Sequence, residues 1–346
     1  MKYKQLGDTD IPVSLICLGS MTWGNQNTQS EAFEQLDYAR DQGINFIDTA
    51  ELYAIPPRAD TYGASETIIG NWLKKGGNRD DVVLASKVCG PTAWCPHIRK
   101  GEAKLDQKNI FAAVEGSLKR LQTDHIDLYQ MHWPERKTNY FGQLGYTQTE
   151  ETTTTPIVET LEALGELVKQ GKIRHIGISN ETPWGTMQYL NVARQHALPR
   201  IVSVQNPYNL LNRSYEIGMA EISHREQVGL LAYSPLGFGA LSGKYLNNQQ
   251  PENGRLTLFP DYQRYSTKQG IEATKAYAAL AAEYHLDCAQ MALSFVNTRP
   301  FVTSTIIGAT TMQQLRSNIA SVSLNLTDEL AQAIDEIHRA IPNPCP

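Results

Sequence analysis

The stretch INFIDTAELY, residues 44–53, joins an apolar run of strand type to a polar segment that begins at its aspartate. Two further apolar runs, residues 82–85 and 126–129, are likewise followed by polar side chains. β-Branched and aromatic residues are frequent in all three runs, which is typical of strands. Parallel α/β folds place their chemistry at the carboxyl ends of strands. We therefore expect one active site to contain the four polar residues at these ends, Asp48, Tyr53, Lys87 and His132.

Helix-type periodicity alternates with strand-type runs along the rest of the chain. The predicted helices are Glu31 to Gln42, Ser65 to Lys75, Asn109 to Leu121, Ile157 to Lys169, Pro183 to Gln195 and Ser214 to Glu226. The other predicted strands are Leu15 to Leu18, Ile173 to Ile178, Ile201 to Val204, Leu230 to Tyr233 and Ser304 to Ile307. About eight strands alternating with helices predict a (β/α)8 TIM barrel, and an open doubly wound sheet is the structural alternative.

No composition break, fixed-period repeat or Gly/Ser linker divides the chain, so we predict one barrel domain over residues 1–346. Three long connections, residues 91–107, 133–156 and 235–270, each follow a strand. In a barrel they would lie on the C-terminal face as walls or lids over a substrate, although plain surface insertion explains them equally well. Thr327 is expected to cap a helix that closes the chain at its C-terminal end.

The composition is that of an ordinary soluble globular protein, with 41% hydrophobic and 19% charged residues. A net charge of -5 argues against a nucleic-acid or anionic-membrane partner, so small molecules are the expected partners. The N-terminus lacks the apolar stretch of a signal peptide, and no run approaches the ~20 apolar residues of a membrane span, which predicts a cytoplasmic protein. The five cysteines are scattered, which suggests neither a disulfide framework nor a zinc site.

The four strand-end residues are chemically suited to one another. A tyrosine phenol has a reference pKa of ~10, and a nearby ammonium favours its ionised form, so Lys87 is expected to bring the pKa of Tyr53 within reach of general acid catalysis. Asp48 would keep Lys87 charged and oriented. His132 would orient a carbonyl group by hydrogen bonding. Taken singly, each residue has an ordinary explanation, such as a surface ion pair or a satisfied core histidine.

Three motifs resemble those of one enzyme family. DTAELY at residues 48–53, SK at 86–87 and QMHW at 130–133 are similar to the tetrad motifs of the aldo-keto reductase superfamily. Residues 6–7 and 13–19 resemble the hairpin and first strand with which that family begins. The resemblance covers nearly the whole chain. It implies a (β/α)8 barrel with an N-terminal β-hairpin, and nicotinamide-dependent reduction of carbonyl groups.

By this resemblance Tyr53 donates the proton to the carbonyl oxygen, and His132 positions the substrate. One departure from the family pattern introduces a competing tyrosine. In many relatives the catalytic tyrosine is followed at once by Gly and, a little later, by Ser-Glu. Here residues 54–58 follow Tyr53, and the Tyr-Gly and Ser-Glu pairs occur instead at residues 62–66. The family's spacing from the aspartate favours Tyr53 over Tyr62. The proline-containing insert is similar to that of the Tas-like subgroup, to which we assign the chain.

The same resemblance assigns residues to the nicotinamide. Ser179, Asn180 and Gln205 correspond to residues that bind its carboxamide, and Tyr233 corresponds to the aromatic residue that stacks on its ring. Amide and hydroxyl groups are suited to a carboxamide, and an aromatic face is suited to stacking. Asn180 has the alternative role of a helix cap, and Gln205 that of a turn residue.

Two further segments resemble the phosphate-binding parts of the family, the pyrophosphate loop at residues 233–245 and the adenosine 2'-phosphate segment at 307–318. The predicted contacts in and near them are Ser234, Pro235, Leu236, Gly239, Lys244, Arg255, Gly308, Thr310, Gln314 and Asn318. Some relatives have lysine where Gly308 stands and arginine where Gln314 stands. Because these positive charges are absent here, weaker binding of the 2'-phosphate is expected. NADPH is the expected cofactor, with NADH as the alternative.

Aromatic residues in the long loops suggest that the substrate is a partly apolar aldehyde or ketone. Trp23 and Trp133 are the candidates for substrate contact, and packing of the rim is an equally good explanation for both. No sequence feature distinguishes a monomer from a homo-oligomer.

Two rival functions remain. The first is a redox-sensing, NADPH-binding regulatory module similar to the potassium-channel β-subunits that are related to this family. The second is an unrelated TIM-barrel lyase or aldolase in which Lys87 forms a Schiff base.

Overall fold

An antiparallel hairpin precedes a closed parallel barrel in the computed structural model, which describes residues 1–76, 79–150 and 154–345. The hairpin consists of β1 (Tyr3–Gln5) and β2 (Pro12–Ser14). The barrel strands are β3 (Ile16–Gly19), β4 (Phe46–Asp48), β5 (Val83–Val88), β6 (Ile126–Met131), β7 (Ile173–Ser179), β8 (Ile201–Pro207), β9 (Gly229–Tyr233) and β10 (Val302–Ile307). Successive strands are neighbours, and β10 pairs with β3 to close the barrel. The predicted TIM barrel is therefore confirmed.

Helices connect the strands around the outside of the barrel. Within the described ranges they are α1 (Gln29–Asp41), α2 (Ala64–Lys75), α3 (Gln107–Leu121), α4 (Ile157–Lys169), α5 (Pro183–His196), α6 (Tyr215–Glu226), α7 (Arg255–Leu258), α8 (Lys268–Glu283), α9 (Cys288–Thr298), α10 (Met312–Ala320) and α11 (Asp328–Ala340). Among these described helices, none is long and apolar enough to cross a membrane.

The six predicted helices match α1 to α6 closely, while the third long connection differs from its prediction. Residues 235–270, predicted as a loop, contain α7 and the start of α8. The Thr267 side chain accepts a hydrogen bond from the Gly270 N–H, which starts α8 inside that segment. Thr327 caps α11 as expected, and α11 packs against α8 to close the fold.

Several strands extend further than their apolar runs predicted. β5 ends at Val88 and β8 ends at Pro207, so Lys87 and Gln205 lie within strands instead of beyond them. The hydrogen bonds between strands are made by backbone groups. The strands can therefore continue through polar residues, whose side chains have partners inside the barrel. In the register of the sheet, Lys87 pairs with Gln130. The polar side chains of adjacent strands thereby reach the same level of the barrel.

The hairpin covers the amino-terminal end of the barrel. Its residues Leu6, Ile11 and Val13 join one buried cluster with interior residues of the strands, among them Phe46 and Leu128. A larger cluster fills the space between the strands and the surrounding helices. Apolar side chains thus fill the lower end, while the polar residues of the predicted site lie at the carboxyl ends of the strands.

Gly7 lies where the hairpin turn meets the barrel, and its replacement tests that contact. Its φ is +62°, and an added Cβ would lie 2.4 Å from the carbonyl oxygen of Val202. We expect Gly7→Ala to lower the free energy of unfolding by about 2–3 kcal/mol, measured by urea denaturation, because a positive φ and a backbone overlap act together. Gly171→Ala is the matched control, since its φ is +71° but an added Cβ meets nothing within 4 Å. Equal losses in the two variants would contradict this explanation.

Candidate active site

A buried ion pair lies at the centre of the predicted site. Lys87 Nζ donates hydrogen bonds to Asp48 Oδ2 at 2.6 Å and to the carbonyl oxygen of Thr49 at 2.7 Å. The Lys87 side chain is 0% exposed and that of Asp48 is 2% exposed. The adjacent strands β4 and β5 hold the two residues at neighbouring positions of the barrel interior. A charged lysine is thus held inside the barrel with a carboxylate and a carbonyl group as its partners.

The charge on Lys87 is maintained by its neighbours. Burial alone lowers the pKa of Lys87, but the charge of Asp48 and then the Tyr53 phenol outweigh it, and the net shift is upward. The ammonium nitrogen lies 4.9 Å from the centroid of the Tyr53 ring. A protonated, fully buried and ion-paired amine is a poor nucleophile.

The pKa of Tyr53 shifts in the direction opposite to the expected one. Burial raises it most strongly, the charge of Lys87 lowers it, and the net result is a pKa above the ordinary tyrosine value of 10.0. The reason is that the phenol is itself buried, so desolvation of the phenolate outweighs the attraction of the nearby ammonium. Tyr53 is therefore a protonated donor at neutral pH.

His132 follows β6 and completes the group. Its ring lies edge-on to that of Tyr53, with 5.7 Å between the ring centroids. Burial and then the charge of Lys87 hold the pKa of His132 well below 6.5, which leaves the imidazole neutral. Its Nδ1 is buried and has no hydrogen-bond partner among the described residues. All four predicted strand-end residues therefore lie together.

The competing tyrosine belongs to a different network. Tyr62 donates a hydrogen bond to Glu51 at 3.0 Å, and the Arg120 guanidinium lies 5.1 Å from its ring centroid. Burial and then the charge of Glu51 raise the pKa of Tyr62. Tyr53 is the tyrosine that lies beside Lys87.

Glu51, which the sequence analysis did not single out, anchors the first long loop next to these residues. It accepts two hydrogen bonds from the Arg99 guanidinium, each 2.7 Å long, and one from the Cys89 N–H at 2.7 Å. Burial would raise the pKa of Glu51, but the hydrogen bonds and charge of Arg99 outweigh it, and the pKa is lowered. Residues 91–107 are thereby tied to the segment that contains Asp48 and Tyr53.

Gln130 is a second residue of the site for which the sequence motif predicts no role. Its side chain is fully buried and donates to Asp48 Oδ1 at 3.3 Å. Gln205 donates to the same oxygen at 2.8 Å and to Gln130 Oε1 at 3.2 Å. Three polar residues on separate strands are therefore connected beneath the site, and Asp48 has partners for both of its oxygens.

The residues predicted to bind the nicotinamide surround the same opening. Asn180 Nδ2 donates to the carbonyl oxygen of His132 at 2.9 Å, and its Oδ1 accepts from the Tyr233 hydroxyl at 2.6 Å. Ser179 donates to the Gln205 carbonyl oxygen at 2.8 Å. The side-chain oxygen of Gln205 has no donor among the described residues, so it offers an acceptor to a carboxamide.

Two cations in and beside the predicted pyrophosphate loop, Lys244 and Arg255, lack counter-ions among the described residues. Gly239 has a φ of +89°, and an added Cβ would lie 3.1 Å from Lys244 Cε. Burial lowers the pKa of Lys244, and burial lowers the pKa of Arg255 to about 10. A bound anion would relieve both effects, so these residues suit a phosphate group. The remaining loop residues of this prediction form the first turn of the segment: Ser234, Pro235 and Leu236.

The predicted 2'-phosphate segment leads into α10. Gln314 accepts hydrogen bonds from the N–H of Thr310 at 2.9 Å and from its hydroxyl at 3.2 Å. Asn318 donates to the carbonyl oxygen of Gly308 at 3.2 Å. Gly308 and Thr310 lie in the loop before α10, and Gln314 and Asn318 lie within the helix. The N-terminus of a helix suits an anion, although none of these four residues has a positive charge.

The two predicted substrate residues lie in different surroundings. Trp133 lies beside His132, with 4.9 Å between the ring centroids, and belongs to an aromatic cluster near the opening. Trp23 is fully buried in the outer core, where its indole donates to Gln35 at 3.1 Å. Its surroundings favour packing, and substrate contact stays a prediction for Trp133.

Known proteins resemble this chain over nearly its whole length. The sequence model of the Aldo/keto reductase family matches residues 15–339. The chain is similar to Protein tas of Escherichia coli (strain K12), with 51% identity over 346 residues that cover 100% of both chains. It is 34% identical over 338 residues to the uncharacterized oxidoreductase YrpG of Bacillus subtilis (strain 168), covering 97% of this chain and 96% of the relative. It is 29% identical over 355 residues to a probable voltage-gated potassium channel subunit beta of Oryza sativa subsp. japonica, covering 99% of this chain and 98% of the relative.

Proposed function

The chain belongs to the aldo/keto reductase family of oxidoreductases and is Tas-like, and from this premise we propose that it reduces aldehyde or ketone carbonyls to alcohols with NADPH. The observation that carries the proposal is the protonated Tyr53 beside the buried pair of Lys87 and Asp48, with a neutral His132 at the same opening. A carbonyl oxygen placed between the phenol and the imidazole would meet a proton donor and an orienting group.

Each residue has a distinct part in this mechanism. The bound nicotinamide supplies the hydride that the carbonyl carbon receives. Tyr53 donates its phenolic proton to the carbonyl oxygen as that oxygen gains negative charge, and Lys87 stabilises the phenolate that remains. Asp48 keeps Lys87 charged and fixed in position. His132 is neutral, so it orients the carbonyl by donating a hydrogen bond without competing as an acid.

The cofactor residues would divide between the two ends of NADPH. Ser179, Asn180 and Gln205 would hold the carboxamide, and Tyr233 would stack on the nicotinamide ring. The residues that would hold the phosphates and adenosine are Ser234, Pro235, Leu236, Gly239, Lys244, Arg255, Gly308, Thr310, Gln314 and Asn318.

A redox-sensing regulatory module is the second candidate, and the likeness to the potassium channel subunit is the observation that favours it. Such a module would bind NADPH but transfer hydride very slowly, whereas an enzyme would turn over simple aldehydes. The Schiff-base alternative is disfavoured because Lys87 is ion-paired and protonated.

Replacement of Tyr53 tests the proton donor. We expect Tyr53→Phe to lower kcat for aldehyde reduction at least ~100-fold, because general acid catalysis is lost, while NADPH binding measured by fluorescence is retained. Tyr62→Phe is the matched control, since Tyr62 contacts Glu51 and not Lys87, and it should keep most of its turnover. Full activity of Tyr53→Phe would exclude this mechanism.

The dependence of the rate on pH tests the protonation states. The phenol must be protonated to act as the acid, so activity is lost as the pH rises through the pKa of Tyr53, which lies above 10.0. His132, with a pKa well below 6.5, stays neutral at neutral pH. We expect kcat/KM for reduction to be level between about pH 6.5 and pH 9. A fall in activity centred near pH 7 would show that the holoenzyme lowers the pKa of the tyrosine instead.

Cofactor affinity tests the phosphate site. We expect a lower Kd for NADPH than for NADH, measured by titration of protein fluorescence. Arg255→Gln should weaken the binding of both cofactors at least ~10-fold, because a charge-assisted contact to phosphate is removed. Arg225→Gln is the control, since Arg225 is exposed and pairs with Glu221. Equal or tighter binding of NADH would contradict the preference for NADPH.

A further inference from the structure

Arg264 lies beside Tyr233 at the opening of the site. It belongs to the connection between α7 and α8 and is half-buried. Its Nη1 lies 3.5 Å from the Tyr233 hydroxyl. Its guanidinium carbon lies 5.6 Å from the ring centroid of Phe238 and 5.9 Å from that of Phe141. Arg264 therefore contacts the end of β9 and residues of two long loops at once.

The charge of Arg264 is not compensated by any carboxylate at ion-pair distance within residues 1–76, 79–150 and 154–345. Lys87 and Arg99, by contrast, each have a carboxylate partner, in Asp48 and Glu51. A partly desolvated guanidinium without a carboxylate partner is suited to an anionic ligand.

The position of Arg264 indicates which ligand would provide that anion. Arg255, the expected phosphate ligand, extends toward Met21, where its Nη2 lies 3.9 Å from the sulfur. Both guanidinium groups flank the Phe238 ring, at 4.1 Å for Arg255 and 5.6 Å for Arg264, and Arg264 is the one that also lies beside Phe141. The side of the opening next to His132 is where the carbonyl group of the substrate would bind.

An aromatic wall connects His132 with Arg264. The Trp133 ring lies 4.9 Å from that of His132 and 5.6 Å from that of Phe141, and Phe141 in turn contacts Arg264. A substrate with its carbonyl at His132 would lie along these rings and direct its far end toward the guanidinium. The geometry suits a molecule that has an apolar middle and an anionic end.

We propose that the substrate is an aldehyde or ketone that bears a carboxylate, and that Arg264 binds this carboxylate. The proposal rests on the reductase function proposed above. The planar guanidinium is suited to paired hydrogen bonds with a carboxylate. Arg264 would thereby select among carbonyl compounds without taking part in proton transfer.

A pair of aldehydes of similar shape tests the selectivity. We expect the holoenzyme to reduce 4-formylbenzoate with a kcat/KM at least ~10-fold higher than that for benzaldehyde. Arg264→Gln should lower kcat/KM for 4-formylbenzoate ~10- to 100-fold, mainly through KM, and that for benzaldehyde by much less. Arg264→Lys should restore part of the loss, and Arg225→Gln should leave both values unchanged because Arg225 is exposed on α6. Equal losses for the two aldehydes in Arg264→Gln would overturn the proposal and leave Arg264 as a residue that only joins the loops.

Binding of benzoate distinguishes failure of this proposal from failure of the reductase function. Isothermal titration of NADP⁺-saturated protein with benzoate should show binding that Arg264→Gln weakens at least ~10-fold. If the wild-type protein reduces neither aldehyde but binds benzoate through Arg264, the anion site stands and the reductase proposal fails. If the wild-type protein reduces benzaldehyde as well as 4-formylbenzoate and does not bind benzoate, the anion site is excluded and the reductase proposal stands.

Discussion

The buried ion pair of Lys87 and Asp48 is the interaction on which the rest of the site depends. A lysine with no exposed surface would lose its proton or destabilise the fold if its charge had no partner, because the penalty for desolvating the ammonium is several kcal/mol. Asp48 and the Thr49 carbonyl accept hydrogen bonds from the ammonium and so compensate for its desolvation. The fixed positive charge then acts on both neighbours, since it stabilises a phenolate at Tyr53 and disfavours protonation of His132.

A layer of amide side chains holds this pair in place from below. Gln130 and Gln205 both donate to the oxygen of Asp48 that Lys87 does not use. Gln205 is also expected to hold the cofactor, so the residue that would bind the nicotinamide is hydrogen-bonded to the residue that orients the lysine. With the proposed cofactor bound, this arrangement would connect the cofactor to the acid–base group through residues of three different strands.

The interior and the rim of the barrel differ in how their charges are compensated. Inside, Lys87 and Arg99 each have a carboxylate partner from the chain itself. At the rim, Lys244, Arg255 and Arg264 have none among the described residues, and burial lowers the pKa of the first two. Uncompensated positive charge that is partly removed from water favours the binding of anions. The rim is therefore the place where the proposed anionic ligands would supply the missing negative charge.

The sequence by itself determined the barrel and the membership of the central group, because strand ends are local features and the carboxyl ends of parallel strands must meet on one face. Tertiary structure alone decided the contacts of the two tyrosines, the direction of the pKa shift and the partners of the buried polar residues. Tyr53 is distinguished from Tyr62 by packing, since Glu51 and Arg120 engage Tyr62 while Lys87 faces Tyr53. The upward shift in the pKa of Tyr53 comes from burial, which depends on contacts between distant segments and is invisible in motif spacing. Gln130 is recognised only through its buried partner Asp48, and Arg264 only through its missing counter-ion. Both are properties of the folded chain.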